Sequence, residues 1–145
     1  AGTTFVAKTA DETVTSSTTV QDDDHLTFTM AADKIYAISG ALLIDSGTTP
    51  DFKWSLNLAG SSTADLLSKY LSPGGSSAVY KFSENDDNST MGYGAGTPGM
   101  TAEFTGIIKA DGSGGALTLQ WAQNTSDGGA TKLLTGSWIS YTLLN

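Results

Sequence analysis

The chain of 145 residues has no cysteine, no arginine, one histidine and three prolines. Without cysteine there are no disulfides, no thiolate zinc sites and no sulfur nucleophile. Without arginine, and at a net charge of −8, it lacks both the field that attracts phosphate backbones and the fork that reads bases. Nucleic-acid binding is therefore not expected. No apolar run approaches the roughly 20 residues of a membrane-spanning helix. Nor does the opening carry the basic-then-apolar pattern of a secretory signal, so a membrane is not expected as a partner. Charged residues are only 15% of the chain, against roughly 25% in typical globular domains.

What is abundant is threonine, serine and glycine, the last at 17 residues. β-Branched and turn-forming residues in that proportion favour strands joined by turns over helices. A chain of this length forms one domain that buries roughly two-thirds of the surface of its unfolded state. The expectation is a single β-sandwich over residues 1–145, with residues 1–20 as an arm or an edge strand.

Short extended runs follow one another between turn clusters. Residues 3–9 and 13–20 are β-branched and polar, and Asp22, Asp23 and Asp24 then read as punctuation. In residues 25–30, Leu26, Phe28 and Met30 alternate with Thr27 and Thr29, the period-two signature of a half-buried strand. Residues 35–44 are apolar on both faces apart from Ser39 and Gly40. That predicts a central strand covered on both sides, or one buried between subunits. Phe52, Trp54, Leu56 and Leu58 alternate with Lys53, Ser55 and Asn57.

The one helical candidate is residues 62–71. There Ser62 and Asp65 resemble a capping box, and Leu66, Leu67, Tyr70 and Leu71 have helical spacing. A strand is the alternative for this segment. Residues 83–99, rich in Asn, Asp and Gly, have no periodicity and read as an exposed loop. Strands follow at residues 101–109, 116–123 and 131–144, the last one apolar. Eight or nine strands with turns at this spacing predict a sandwich or barrel, with a jelly roll preferred.

Catalytic equipment is sparse. His25 beside Asp22–Asp24 offers a metal or pH-responsive site. Its plainer reading is a solvated acidic turn, because calcium loops need ligands at alternating positions that this run lacks. A Ser-His-Asp triad would need His25, and no serine stands in a G-x-S-x-G elbow. Apart from Glu12, Glu84 and Glu103 are the glutamates available to a cleft. The expectation is therefore no enzyme, no cofactor and no metal. Most tryptophans and tyrosines fall at inward strand positions, which favours packing over a sugar-stacking platform. Tyr93, with Met91 beside it in the glycine-rich stretch, is the candidate partner contact.

Certain segments also resemble small tailed-phage and prophage virion proteins. They are LQWAQNTSD at 119–127, TKLLTGSWISYTLL at 131–144, VAKTADETVT at 6–15, QDDDHLTFT at 21–29, ADKIY at 32–36 and DSGTTPDFKW at 45–54. The resemblance covers most of the chain except its middle. It implies a trimeric jelly roll similar to the tumour-necrosis-factor-like folds of some capsid decoration (cement) proteins. Tyr36, Ile38, Trp138 and Tyr141 are then candidates for the trimer interface. The implied partners are two further copies of the chain and a shell of major capsid protein, and the implied location is the outer surface of the virion. The alternative is a trimeric fibre head that binds host glycans. The absence of an upstream shaft in the sequence favours decoration.

Overall fold

Alternation is the feature that organises the structure, a computed structural model that describes residues 2–47, 49–71, 78–83, 91–93 and 100–145. For residues 70, 71, 78–83 and 91–93 only the backbone is described. The strands of the first half are β1 (Thr3–Ala7), β2 (Glu12–Val14), β3 (Gln21–Met30), β4 (Ile35–Ser46), β5 (Phe52–Leu58) and β6 (Thr63–Leu71). Those of the second half are β7 (Ala78–Ser83), β8 (Met91–Tyr93), β9 (Met100–Lys109), β10 (Gly115–Ala122), β11 (Thr131–Leu133) and β12 (Trp138–Leu143). No helix occurs among the described residues.

All the ladders are antiparallel. They make an eight-stranded sheet in the order β1-β12-β4-β9-β6-β7, with β2 and β11 extending the lines of β1 and β12, and a four-stranded sheet β3-β10-β5-β8. Count β1 with β2, and β11 with β12, as one interrupted strand each, and set the hairpin β6-β7 aside. Eight strands remain in the orders 1-8-3-6 and 2-7-4-5. That is the connectivity of a jelly roll, as expected.

The core lies between the sheets. Trp54, Trp121 and Phe52 are fully buried there. Trp54 meets Phe104 at 4.7 Å, and Phe52 stacks near Trp121 at 5.9 Å. Each such aromatic contributes roughly 4–6 kcal/mol of gross hydrophobic stabilisation before entropy is counted. Gly40, inside β4, lets Phe104 sit against the sheet, since a Cβ there would come within 2.5 Å of the ring. The phenol of Tyr36 is satisfied by the N–H of Ala31 at 2.8 Å.

Four expectations are corrected. Residues 63–71 form a strand rather than a helix. Ala64, Leu66 and Ser68 point inward and Leu67 outward, so the period is two, and ladders to β9 and β7 use the backbone that a helix would have used. Instead of capping a helix, the Ser62 hydroxyl accepts the Asp111 N–H. Asp22–Asp24 lie within β3 and not in a turn. The extended run at 13–20 stops at Val14, because Ser16 adopts a positive φ of 52°. Finally, the last strand is two pieces. A turn at residues 134–137, with Gly136 at φ 93° and Ser137 N–H on the Leu134 carbonyl, separates β11 from β12.

Residues 3–7 and 12–14 are thus the edge of the larger sheet, paired with β12 and β11, rather than a free arm.

Candidate functional site

Two places combine unusual chemistry with a defined position: the outer face of the larger sheet, and a buried charge cluster at the edge of the sandwich.

The outer face follows from register. One row across the sheet reads Phe5, Ser140, Ser39, Thr105, Leu67, and the next reads Ala7, Trp138, Ala41, Glu103, Lys69. A third reads Thr3, Thr142, Ala37, Ile107, Asp65. Over β12 and β4 the face is thus alanine, serine and threonine around Trp138, with Ser39 and Ser140 sharing a hydroxyl hydrogen bond at 2.9 Å, and β9 adds Ile107 and Glu103. Large apolar groups stand toward its margins. Phe5 is 65% exposed and packs on Trp138 with ring centres 5.5 Å apart, and Leu67 is 43% exposed. Charged residues stand beside this patch on β9 and β6, where Lys69 and Glu103 pair in solvent at 3.1 Å and Asp65 ends the third row. A shallow hollow beside that pair is lined by Leu67, Lys69, Glu103, Phe104 and Thr105.

Of the interface candidates, Trp138 lies on this outer face. Tyr36 and Ile38 do not: both are buried between the sheets, and the apparent two-faced strand is one buried face and one half-buried face that reads Ile35, Ala37, Ser39, Ala41, Leu43 and Asp45. Tyr141 also turns inward, stacked on Phe28 with ring centres 3.7 Å apart. Met91 and Tyr93 belong to strand β8, paired with Trp54 and Phe52 of β5, rather than to a loop. Their side chains, and residues 84–90 and 94–99, lie outside the described residues.

The second site forms where β3 bulges. Asp22 pairs with Gln120 and Thr27 with Thr118, so residues 23–26 stand opposite Leu119 alone. A bulge re-aims side chains and frees backbone N–H groups. Here it turns Asp23 inward, and its Oδ2 accepts the N–H of His25 at 3.0 Å and of Leu26 at 2.9 Å. Oδ1 accepts the indole N–H of Trp121 at 3.3 Å and lies 2.6 Å from Lys8 Nζ.

Lys8 is held by its backbone, with its N–H on the Ser137 carbonyl and its carbonyl accepting from Gly136. Its ammonium also meets Glu12 Oε1 at 3.0 Å and His25 Nδ1 at 3.4 Å. The Lys8 and Asp23 side chains have no exposure and Glu12 has 17%. Glu12, Asp23 and His25 have the mutual spacing of a three-ligand metal site. Lys8 Nζ contacts all three side chains and supplies the cation that they would otherwise seek. The sequence singled out His25 and the aspartates; it gave no sign of Lys8, which stands between Ala7 and Thr9 with no apolar pattern around it.

No family model matches the chain, and no curated protein does. Among solved structures it is similar to the Gt strain of infectious bursal disease virus at 9% identity, over 97% of this chain and 38% of that one, with a TM-score of 0.24. For the Gx strain the figures are 12%, 97%, 39% and 0.26. For the VP2 subviral particle of the same virus they are 12%, 99%, 37% and 0.20. The chain spans under two-fifths of the length of each. Likeness this slight does not bear on what the chain binds or does. What stands is an all-β jelly-roll sandwich whose larger sheet carries an uncharged patch on its outer face over β1, β12 and β4.

Proposed function

We propose that this chain is a capsid decoration protein of a tailed phage, a structural and non-catalytic component that sits on the outer shell as a homotrimer and braces it. The observation that carries the reading is the outer face of the larger sheet. Where its three rows cross β1, β12 and β4 they carry no charge, most side chains are short, and Phe5 and Trp138 pack together there. A face facing water permanently would be expected to carry charges or long polar groups, whereas subunit interfaces are depleted in charge and enriched in aromatics. Two further copies of the chain are the occupants that suit it. The segments resembling phage virion proteins, residues 119–127 and 131–144 foremost, supply the phage context.

Bracing follows from valency. A trimer presents three equivalent contacts to neighbouring capsid subunits, and linked weak contacts sum to strong avidity when the geometry lets them engage together.

Two measurements test this. Light scattering should give a mass in solution three times that of the chain, and a clean monomer would remove the trimer. Purified protein added to undecorated shells should co-sediment saturably. Absence of binding there, together with binding to host cells or a glycan array, would replace decoration with the fibre-head reading.

A further inference from the structure

A lysine amine pressed against a carboxyl group away from water, with a second carboxylate touching the same nitrogen, has the parts needed to condense into an amide. Lys8 Nζ is 2.6 Å from Asp23 Oδ1 with both side chains fully buried, and Glu12 Oε1 is 3.0 Å from that nitrogen. From this geometry we infer that Lys8 and Asp23 join in an intramolecular isopeptide bond, with Glu12 carrying the protons.

The atoms balance without a co-reactant. Glu12 takes a proton from the Lys8 ammonium and passes it to Asp23 Oδ1. The free amine then moves from Oδ1 onto Cγ, and the N–C bond forms. Negative charge gathers on Oδ2, where the N–H groups of His25 and Leu26 already point. Such preorganised donors stabilise a tetrahedral oxyanion. A second proton travels from nitrogen through Glu12 to Oδ1, the C–O bond breaks, and water departs. Glu12 ends unchanged, and one hydrogen remains on the amide nitrogen. Fixed juxtaposition supplies the high effective concentration that a bimolecular condensation lacks.

The site has a mechanical sense. β1 and β3 are the terminal strands of the two sheets, and no ladder joins the sheets at that edge. Lys8 directly follows β1, and Asp23 lies in β3. An amide between them clasps the open edge of a cysteine-free sandwich. It also replaces a buried ion pair, whose desolvation opposes folding, by a neutral group.

The test is the intact mass of the folded protein, followed by peptide mapping. The expected result is a chain lighter by one water, with a branched peptide joining residues 8 and 23. Lys8→Arg should restore the full mass. Glu12→Gln, checked as folded by circular dichroism, should slow the loss of water by about a hundredfold. Full mass in aged, folded protein overturns the proposal. So does a water loss that survives Lys8→Arg and yields no branch, as cyclisation at Asp111-Gly112 or Asp127-Gly128 would give. An unchanged rate in Glu12→Gln overturns the role of Glu12.

Discussion

The two sheets turn similar side chains inward, yet their outer faces are filled differently. On the four-stranded sheet the outward rows hold Thr27, Thr118 and Asn57, then Asp22, Gln120 and Ser55. These groups satisfy one another. Thr27 bonds Thr118 at 2.9 Å, Gln120 and Asn57 donate to Asp22 at 2.9 and 3.3 Å, and Ser55 donates to Gln120 at 3.4 Å. The corresponding rows of the eight-stranded sheet hold alanine, serine and threonine with Phe5 and Trp138 over β1, β12 and β4, and Ile107, Glu103, Lys69, Asp65 and exposed Leu67 on β9 and β6. One face is knitted together by side-chain hydrogen bonds, and the other carries an uncharged patch over β1, β12 and β4. Alternation along a strand says only that a face points outward. What stands on that face distinguishes a solvent surface from a docking surface.

The largest effect should come from placing a charge on that uncharged patch. Ala41→Asp would bury an uncompensated carboxylate in the trimer contact we propose, a cost of about 3–5 kcal/mol. Self-association should weaken by more than about a hundredfold. Light scattering should show one chain mass with an unchanged circular dichroism spectrum, whereas Thr118→Asp on the other sheet should leave the assembly intact. Equal responses from the two variants would break the comparison.

Next in size is Gly40→Ala, one residue away but facing inward. Its Cβ would meet the Phe104 ring at 2.5 Å and the Trp138 carbonyl at 2.7 Å. Overpacking of this kind costs about 1–3 kcal/mol, to be read as a lower urea midpoint. Asp22→Ala removes two exposed hydrogen bonds and should cost at most about 1 kcal/mol, with no change in assembly.

The smallest effect is a pH dependence shared by both sheets' loops. The N–H of Ser61 first, then those of Ser113 and Gly114, hold the Asp111 carboxyl below its ordinary value of 3.8, against a smaller opposing effect of desolvation. The Thr135 N–H and then its hydroxyl do the same for Asp11. Groups depressed in the folded state add stability above 3.8, and that contribution is lost as the pH falls through their folded values. The thermal midpoint should therefore drop on acidification below 3.8, and Asp111→Asn should make the drop shallower.

The sandwich was legible because Leu26, Phe28 and Met30, and Phe52, Trp54, Leu56 and Leu58, alternate without interruption. The charge cluster was hidden by parity. Extending the phase of Leu26 backwards points Asp24 and Asp22 inward, but the bulge shifts the phase and buries Asp23 instead. Tyr36 and Ile38 were assigned to an interface because an apolar strand does not reveal which face meets its own core and which meets a neighbour. The helical spacing of Leu66, Leu67, Tyr70 and Leu71 behind Ser62 and Asp65 competes with a strand at 62–71, and only the ladders on both sides decide between them. Lys8 had no local signal, since its partners lie in other strands and meet it only in the folded chain.

The pairing of β1 with β12 has a consequence for synthesis. β1 hydrogen-bonds to the strand spanning Trp138–Leu143, and that same strand lies against β4. On the ribosome, β1 must wait for all the intervening strands before its partner emerges, with Phe5 and Val6 unmatched meanwhile. A product cut short before Trp138 lacks the strand that joins β1 to β4, and with it one wall of the interior. The larger sheet therefore closes only once synthesis has passed Leu143.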